Sequence, residues 1–375
     1  AFTPQIPGLS HPGVFNLRTV PDTRHVREWI DTHAATRAVV IGGGFIGLET
    51  AENLHRRGLQ VHVVEASNQV LRPISESLAA MAAQHLVEHG IHLHLSTAVV
   101  SIERLDKSVL RVVTSGGVCL ETDLVITATG VRPRSSLAIR AGLEIGGHGG
   151  VVVDEFMQTS DPCIWAAGDV IETAYTVTGA SVYMPLAGPA NRQGRLAADS
   201  MMGSPRPFRG VQGTVVCGLF DLTVASTGIS RELLEAQTAI EWNTVWLHPK
   251  NHVGYYPGAQ FVHLEVNYAT GDGRILGAQA IGGAGTARRI DVISMAIQLQ
   301  GTVFDLEEAE LCYAPQYGSA KDAVNLAGML AANRLRGDFP STTWEEVDDH
   351  GGLLVDVREE HEFSKDHMPG ALNLP

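Results

Sequence analysis

The residues with the clearest chemical use lie in one glycine-rich turn. Residues 42–47 read Gly-Gly-Gly-Phe-Ile-Gly and so match the pattern Gly-x-Gly-x-x-Gly. The turn follows a short apolar segment, Arg37–Ile41, and precedes a predicted helix over Leu48–Arg57 and a predicted strand over Val61–Glu65. The pattern alone is weak evidence, but in this β-turn-α-β context it strongly predicts a dinucleotide-binding site.

The glycines and the helix start have distinct expected roles. Gly42 permits a tight turn, Gly44 lets a pyrophosphate approach the backbone, and Gly47 lets the helix pack close to the sheet. The first turn of the helix, which includes Phe45 and Ile46, offers free N–H groups and a partial positive charge to the phosphates. The alternative is a glycine turn that binds no ligand.

An acidic residue at the end of the second strand predicts which nicotinamide dinucleotide binds. Glu65 would accept hydrogen bonds from the adenosine ribose hydroxyls. Its charge should repel a 2′-phosphate, so NADH is favoured, and NADPH stays open because the preference depends on one carboxylate. Alternatively, Glu65 is only a solvated strand end.

A second motif follows in residues 163–169, Cys-Ile-Trp-Ala-Ala-Gly-Asp. An apolar strand over Ile164–Ala166 that ends in Gly168 and Asp169 can place a carboxylate against a ribityl hydroxyl and let the backbone approach a flavin pyrophosphate. A Gly-Asp pair after a strand is common, and its position after a complete nicotinamide domain gives it weight. A helix start follows at Leu186, Ala187 and Ala190, whose N–H groups could hold the electron-rich edge of a reduced flavin. An ordinary helix start is the alternative.

The composition limits the class of protein. A hydrophobic fraction of 44% and 40 glycines among 375 residues fit a globular α/β protein. A net charge of −14 argues against nucleic acid or an anionic membrane surface as the main partner. No apolar run is long enough for a transmembrane helix, and the N-terminus lacks the features of a signal peptide, so a cytoplasmic location is expected.

The cysteines give no sign of a metal or disulfide framework. None of the four, Cys119, Cys163, Cys217 and Cys312, belongs to a C-x-x-C pair. They are expected to be buried and reduced, and no metal site is predicted.

These motifs together resemble a known family. With the segment Ala-Thr-Gly-Val-Arg-Pro that contains Gly130, they resemble the two-dinucleotide pyridine nucleotide-disulfide oxidoreductases. The resemblance is closest to the branch of coenzyme A disulfide reductases and NADH oxidases or peroxidases. It implies two cofactors, FAD and NADH.

The resemblance implies an α/β fold with several domains. Residues 1–35 would end a first FAD-binding segment, 36–148 form a Rossmann-type NAD(H) domain, and 149–208 form a second FAD-binding segment. Residues 209–337 would form an α+β dimerisation domain, in which the pattern from Gly213 onward predicts an antiparallel sheet. Residues 342–375 would begin a rhodanese-like α/β unit.

Two tyrosine-containing segments are similar to the dimerisation domain of coenzyme A disulfide reductases. One is Tyr-Tyr-Pro-Gly from Tyr255, and the other runs from Cys312 to Asp322. The resemblance implies a homodimer in which tyrosines of one subunit reach the disulfide site of the other, with Tyr255 and Tyr313 as the candidates. A phenol can donate a proton to a departing thiolate. Alternatively, these aromatic residues only pack the dimer core.

The tail resembles the opening of a rhodanese domain, which carries sulfane sulfur on a cysteine. The resemblance implies that the family's first FAD loop and redox cysteine would precede Ala1 and that the rhodanese cysteine would follow Pro375. None of the four cysteines present would then occupy the redox position, and the chain is expected to be truncated at both ends.

The implied function is an FAD-dependent NAD(P)H:disulfide or persulfide oxidoreductase that acts on a small sulfur substrate of the coenzyme A type. Three alternatives remain. One is an NADH oxidase or peroxidase, which the rhodanese-like tail disfavours. The second is a non-catalytic nucleotide-binding or dimerisation fragment, which the missing cysteine favours. The third is a ferredoxin-type reductase, which the tyrosine segments fit poorly.

Overall fold

The computed structural model describes residues 4–237, 239–338, 347 and 352–375. The chain divides into two compact units, Ala1–Ala332 and Asn333–Pro375. Of the predicted rhodanese-like segment, residues 342–346 and 348–351 lie outside the described residues. Across the described residues, no helix combines the length and the apolar character that crossing a bilayer requires.

The first part of the larger unit contains a parallel sheet of five strands. Its elements are β1 (Val14–Asn16), α1 (Val20–His33), β2 (Arg37–Ile41), α2 (Phe45–Arg56), β3 (Gln60–Val64), α3 (Glu76–Glu88), β4 (His92–His94), β5 (Val99–Arg104), β6 (Leu110–Thr114), β7 (Cys119–Thr122), β8 (Leu124–Thr127) and α4 (Ser136–Arg140). The sheet has the order β1-β8-β2-β3-β4, and β5, β6 and β7 form a separate antiparallel sheet. This arrangement confirms the Rossmann-type fold that the glycine turn predicts.

The sequence forms this sheet because its central strands are apolar on both faces. All four residues of β8 and the last four of β2 are buried, as expected for parallel strands covered by helices. Helix α1 begins with a capping box, in which Thr19 and Asp22 satisfy each other's backbone N–H groups.

The middle of the unit is a smaller sheet followed by a long helix. Its elements are β9 (Val151–Val152), β10 (Ile171–Ala174), β11 (Ser181–Val182) and α5 (Ala187–Met201). The predicted strand over Ile164–Ala166 is wrong. Only an isolated bridge joins Trp165 to Gln158, because the chain reverses tightly there, with the Thr159 hydroxyl bonded to the carbonyl of Ile164.

The last part of the larger unit contains an antiparallel sheet, as the sequence predicts. Its elements are β12 (Val215–Leu219), β13 (Leu222–Gly228), α6 (Arg231–Gln237), β14 (Trp242–Leu247), β15 (Val262–Ala269), β16 (Ile275–Gly282), α7 (Thr286–Gln298) and α8 (Val303–Glu307). Helix α9 (Ala323–Arg336) follows and runs across the boundary between the two units at Ala332. The strand order is β12-β13-β16-β15-β14. Every residue of β16 is buried, which makes this strand the centre of the core.

The second unit has a short β-α-β pattern of its own. Strands β17 (Val355–Asp356) and β18 (Leu372–Asn373) pair in parallel, with α10 (Glu360–Phe363) between them in the chain.

The prediction that the cysteines are buried is mostly wrong. Cys217 is buried, whereas Cys119, Cys163 and Cys312 are exposed. Cys119 begins β7, where buried and exposed residues alternate, and it falls on the exposed face. Composition gives the average burial of a residue type, while the register of a strand decides the individual case.

Candidate functional site

The glycine turn adopts a backbone that needs glycine at two positions. Gly42 has φ of +110°, and a Cβ added to it would collide with the carbonyl oxygen of Ala128 in the loop after β8. A Cβ added to Gly47 would collide with the carbonyl oxygen of Gly42. In contrast, a Cβ on Gly44 would meet no atom within 4 Å. The protein therefore leaves open space at Gly44.

The start of α2 presents unpaired backbone N–H groups to this open space. Gly44 is the N-cap residue, has an extended backbone and supplies no side-chain cap. Leu48 N–H is the first to bond within the helix, to the carbonyl oxygen of Gly44 at 3.0 Å. The first turn has no acidic residue, and Ile46 within it is 50% exposed. The positive end of the helix dipole is thus not neutralised from within the helix.

Glu65 lies directly against the glycine turn. Its Oε2 accepts a hydrogen bond from the N–H of Gly43 at 2.6 Å, and its Oε1 accepts one from the N–H of Ser67 at 2.8 Å. Two backbone donors therefore fix the carboxylate beside the turn. The sequence predicts Glu65 as a site residue but does not predict these backbone partners.

Gly130 lies at the same edge of the sheet. Strand β8 pairs with β2 in parallel, so the loop after β8 and the turn after β2 both follow carboxyl ends of neighbouring strands. Gly130 has φ of +93°, and an added Cβ would meet no atom within 4 Å. Open α/β sheets bind ligands in the crevice outside the carboxyl ends of their strands.

The Gly-Asp motif and the start of α5 form a second group. Gly168 has φ of +78°, and its N–H donates to Oε1 of the buried Gln193 at 2.9 Å. A Cβ on Gly168 would lie 3.5 Å from the Cβ of Ala190. The loop therefore packs against the helix start, and Asp169 is left exposed beside it.

Tyr183 belongs to this second group, although the sequence analysis missed it. Its hydroxyl oxygen is buried and has no hydrogen-bond partner among the described residues. Burial, followed by the charge of Asp169, raises the pKa of this phenol. An orphaned hydroxyl near an exposed carboxylate indicates a place for a polar ligand. The Tyr183 hydroxyl and the Asp169 carboxylate fit a flavin, because a flavin carries hydroxyls that can hydrogen-bond both of them.

The start of α5 also borders a cavity of about 400 Å³. Leu186 and Ala187 line it from the helix, residues 212–216 line it at the beginning of β12, and Ser294 lines it from α7. Helix α5 has no side-chain cap and no acidic residue in its first turn. The N–H groups of Leu186 and Ala190 already donate to the carbonyl oxygens of Met184 at 2.9 Å and of Leu186 at 3.1 Å, so of the three predicted residues Ala187 is the one whose N–H can face an electron-rich ligand edge.

The two candidate tyrosines meet each other. Tyr255 is 78% exposed and Tyr313 is 48% exposed. A hydrogen bond between their side chains is the main reason that the pKa of Tyr313 is raised. Because both side chains are exposed, packing within this chain is disfavoured as their role. Among the described residues, no hydrogen bond joins the pair to Asp169 or to the start of α5.

A buried ion pair holds the two tyrosine segments together. Arg289 of α7 is 1% exposed and bonds Asp322 through two contacts, of 3.0 and 2.7 Å. Its Nη2 also donates to the carbonyl oxygen of Asn251 at 2.7 Å. Asp322 ends the segment that contains Tyr313, and Asn251 lies four residues before Tyr255. Sequence reasoning missed Arg289, although Asp322 stands inside the motif that carries the resemblance.

Comparison with known proteins identifies the family. Residues 1–194 match the family described as pyridine nucleotide-disulphide oxidoreductase, and residues 214–323 match the dimerisation domain of the same family. The chain is 34% identical to a coenzyme A disulfide reductase of Staphylococcus haemolyticus, over 86% of this chain and 72% of that protein. It is also 34% identical to an NADH oxidase of Methanocaldococcus jannaschii, over 89% of this chain and 74% of that protein.

Solved structures extend the likeness to the whole chain. Reduced CoADR-RHD of Bacillus anthracis is 42% identical and superposes with a TM-score of 0.94, over 100% of this chain and 67% of that one. An NAD-dependent persulfide reductase of A. fulgidus is 35% identical with a TM-score of 0.91, over 99% of this chain and 68% of that one. The chain therefore belongs to the pyridine nucleotide-disulphide oxidoreductases, flavin-dependent enzymes that use FAD and NAD(P)H.

Proposed function

We propose that the protein uses NADH and FAD to reduce a small disulfide or persulfide of the coenzyme A type. The proposal of a sulfur substrate depends mainly on one observation, the exposed, hydrogen-bonded pair of Tyr255 and Tyr313. A phenol is protonated at neutral pH, so it can donate a hydrogen bond or a proton to a thiolate that leaves the substrate. The coenzyme A disulfide and persulfide reductases among the similar proteins support the same substrate class.

The glycine turn would hold the nicotinamide dinucleotide. The open space at Gly44 and the free N–H groups of Phe45, Ile46 and Gly47 suit a pyrophosphate. Glu65 would accept hydrogen bonds from the adenosine ribose and disfavour a 2′-phosphate. Together with Gly42 and Gly130, these residues form the proposed nucleotide site.

The second group would hold FAD, which when bound supplies a centre that accepts a hydride and passes electrons to sulfur. Asp169 and Tyr183 would bond the polar part of the flavin side chain, and Gly168 would let the backbone come close. The N–H group of Ala187 would face the ring edge that becomes electron-rich on reduction. Leu186 and Ala190, whose own N–H groups are bonded within the chain, would border the same site.

The tyrosine pair would serve the active site of a partner subunit. The dimerisation-domain match over residues 214–323 supports a homodimer. Tyr255 and Tyr313 are exposed on one chain, as residues that reach into a second chain must be. The Arg289–Asp322 pair would position them without touching the substrate.

The proposed domain boundaries remain those that the sequence predicts, at residues 1–35, 36–148, 149–208 and 209–337. The parallel pairing of β17 with β18 around α10 supports a rhodanese-like beginning in residues 342–375. We place the protein in the cytoplasm, because disulfide reduction suits a compartment that keeps thiols reduced.

An anaerobic assay of the complete gene product with FAD bound tests the function. NADH consumption should require coenzyme A disulfide or a persulfide. Replacing both Tyr255 and Tyr313 with Phe should lower turnover by about 100-fold or more, while Tyr256→Phe should leave it near the wild-type value. NADH binding, measured separately, should be unchanged in the double variant and in Tyr256→Phe.

The NADH oxidase among the relatives makes oxygen the main competing electron acceptor. NADH consumption that needs only air, with no effect of the disulfide or of the tyrosine substitutions, would establish the oxidase instead. Tight NADH binding without FAD uptake would establish a nucleotide-binding module.

A further inference from the structure

Three potential metal ligands converge where two parts of the larger unit meet. His85 lies in the last turn of α3 and His89 is the residue that ends this helix, so the two are four residues apart and share one face. Asp221 lies in the two-residue turn between β12 and β13. Its Oδ1 is 3.0 Å from His85 Nε2 and 3.7 Å from His89 Nε2. All three ligand atoms lie within 4.8 Å of one another.

The hydrogen bonds of the cluster leave both Nε2 atoms free to bind a cation. His89 Nδ1 lies 2.8 Å from the carbonyl oxygen of His85, which can only accept, so Nδ1 carries the proton and Nε2 keeps its lone pair. His85 Nε2 is buried and, in spite of its short distance to Asp221, has no aligned hydrogen-bond partner among the described residues. The Nε2 lone pair of His89 and the unbonded Nε2 of His85 therefore face a carboxylate oxygen.

The turn that carries Asp221 is held firmly over α3. Phe220 has φ of +59°, a region that non-glycine residues seldom adopt, and its ring stacks on His89 at 4.3 Å and 18°. Its N–H donates to Oε2 of the buried Glu52 at 2.9 Å, and Glu52 also pairs with Arg56 at 2.7 Å. Contacts from α2 and α3 thus fix the turn that presents the carboxylate.

We propose that His85, His89 and Asp221 form a Zn²⁺ site that links α3 to the β12–β13 hairpin. Imidazole nitrogen and carboxylate oxygen are common zinc ligands, and tetrahedral coordination at normal bond lengths places ligand atoms about 3.3 Å apart. The observed 3.0 and 3.7 Å lie on either side of that value. Asp221 is 72% exposed, so water can complete the coordination.

The surroundings of the cluster suit an exchangeable ion. A groove of about 280 Å³ opens beside His85 and Asp221 and is also lined by Glu88 and His263. The ligands come from the region proposed to bind the nucleotide and from the dimerisation domain. Bound zinc would therefore stabilise the contact between these two regions.

Zinc titration of the untagged, metal-stripped full chain tests this site. Calorimetry should give one Zn²⁺ per chain, Co²⁺ should give the visible spectrum of a tetrahedral site, and zinc should raise Tm. The double substitution His85→Gln and His89→Gln should weaken zinc binding by about 100-fold or more and abolish the rise in Tm. Asp221→Asn should weaken binding less, because both imidazoles remain.

A matched control is available on α1. There His33 contacts the carbonyl of Trp29, four residues earlier, and stacks on its ring at 3.8 Å, yet it belongs to no such cluster among the described residues. The double substitution His25→Gln and His33→Gln should leave zinc affinity unchanged. All variants should match the wild type in Tm with EDTA present, which shows that they fold.

Three results would overturn the proposal. The first is a wild-type chain that binds no zinc. The second is a variant lacking His85 and His89 that binds zinc as the wild type does. The third is loss of zinc binding on replacing His248 and His263, which would place the ion at that neighbouring histidine pair, whose Nδ1 atoms are 2.8 Å apart.

Discussion

The proposed nucleotide site and the tyrosine pair are built in opposite ways. The nucleotide turn, from Gly42 to Glu65, lies on one continuous β-α-β stretch, and backbone groups fix its geometry. Tyr255 and Tyr313 lie on separate segments that a third element, α7, joins through the buried Arg289. A contiguous site depends on what the backbone allows at each position. An assembled site depends on a few long-range side-chain contacts.

The strongest test of this comparison is the buried ion pair. Asp322→Ala leaves the Arg289 guanidinium buried without its partner, which should lower the free energy of unfolding by about 3–5 kcal/mol. Urea denaturation measures this loss, with the exposed Glu310→Gln as a control that should change little. Disulfide reductase activity should fall while NADH affinity per folded molecule is retained. Unchanged stability and activity would show that the pair does not hold the tyrosine segments.

Two glycines of the nucleotide turn make a matched pair. Gly47→Ala places a methyl group against the carbonyl of Gly42, so it should cost about 1–3 kcal/mol of stability and weaken NADH binding. The methyl group of Gly44→Ala would lie in open space, so the stability of the protein should not change. NADH binding should weaken, because the methyl group would occupy the space through which the pyrophosphate approaches the backbone. Denaturation and fluorescence titration with NADH separate the two effects. Equal loss of stability in both variants would contradict the open approach at Gly44.

A smaller effect is expected from the charge beside the turn. Glu65→Gln keeps the size of the side chain and removes the repulsion of a 2′-phosphate. The ratio of kcat/KM for NADPH to that for NADH should rise by about tenfold, which corresponds to about 1.4 kcal/mol. Glu49→Gln, at an exposed position of α2, should leave the ratio unchanged. If Glu65→Gln leaves this ratio unchanged, Glu65 does not determine the preference for NADH over NADPH.

The smallest effect concerns pH at the edge of the parallel sheet. Burial, with the neighbouring charges of His92 and His94, lowers the pKa of His62 from 6.5 to about 4. Between these values the unfolded imidazole binds a proton and the folded one does not, so stability falls as pH falls from 6.5 towards 4. His62→Gln should reduce this pH dependence of unfolding, and the exposed His25→Gln should not. An unchanged slope in His62→Gln would show that His62 does not contribute.

The sequence predicts the nucleotide-binding half better than the rest. The helix after Gly42–Gly47 and the strand before it are both present, within a few residues of their predicted ends. Strand β13 is hard to recognise in the sequence, because its buried positions include Ser226 and Thr227, which give no apolar alternation. The Thr227 hydroxyl is satisfied by the distant Gln212, at 3.0 Å. A polar residue can be buried when a remote partner bonds it, and the remote partner is invisible in a local pattern.

The histidine cluster shows the same limit. Helix α3 and the residue that ends it carry two histidines four residues apart, a spacing that is visible in the sequence. The third ligand, Asp221, comes from a hairpin turn in another part of the chain. The spacing of the two histidines could have suggested a metal site from the sequence. Only the fold brings the carboxylate of Asp221 beside them.

By itself, the sequence determined the dinucleotide turn, the acidic residue beside it, the Gly-Asp motif and the family. Each of these depends on residues close together in the chain, where backbone geometry follows directly from residue type. The tertiary structure alone decided that three cysteines are exposed, that Tyr183 has an orphaned hydroxyl, that Arg289 joins the tyrosine segments and that Asp221 meets two histidines. Exposure and long-range contacts arise from packing between distant segments, and packing is a property of the folded chain as a whole.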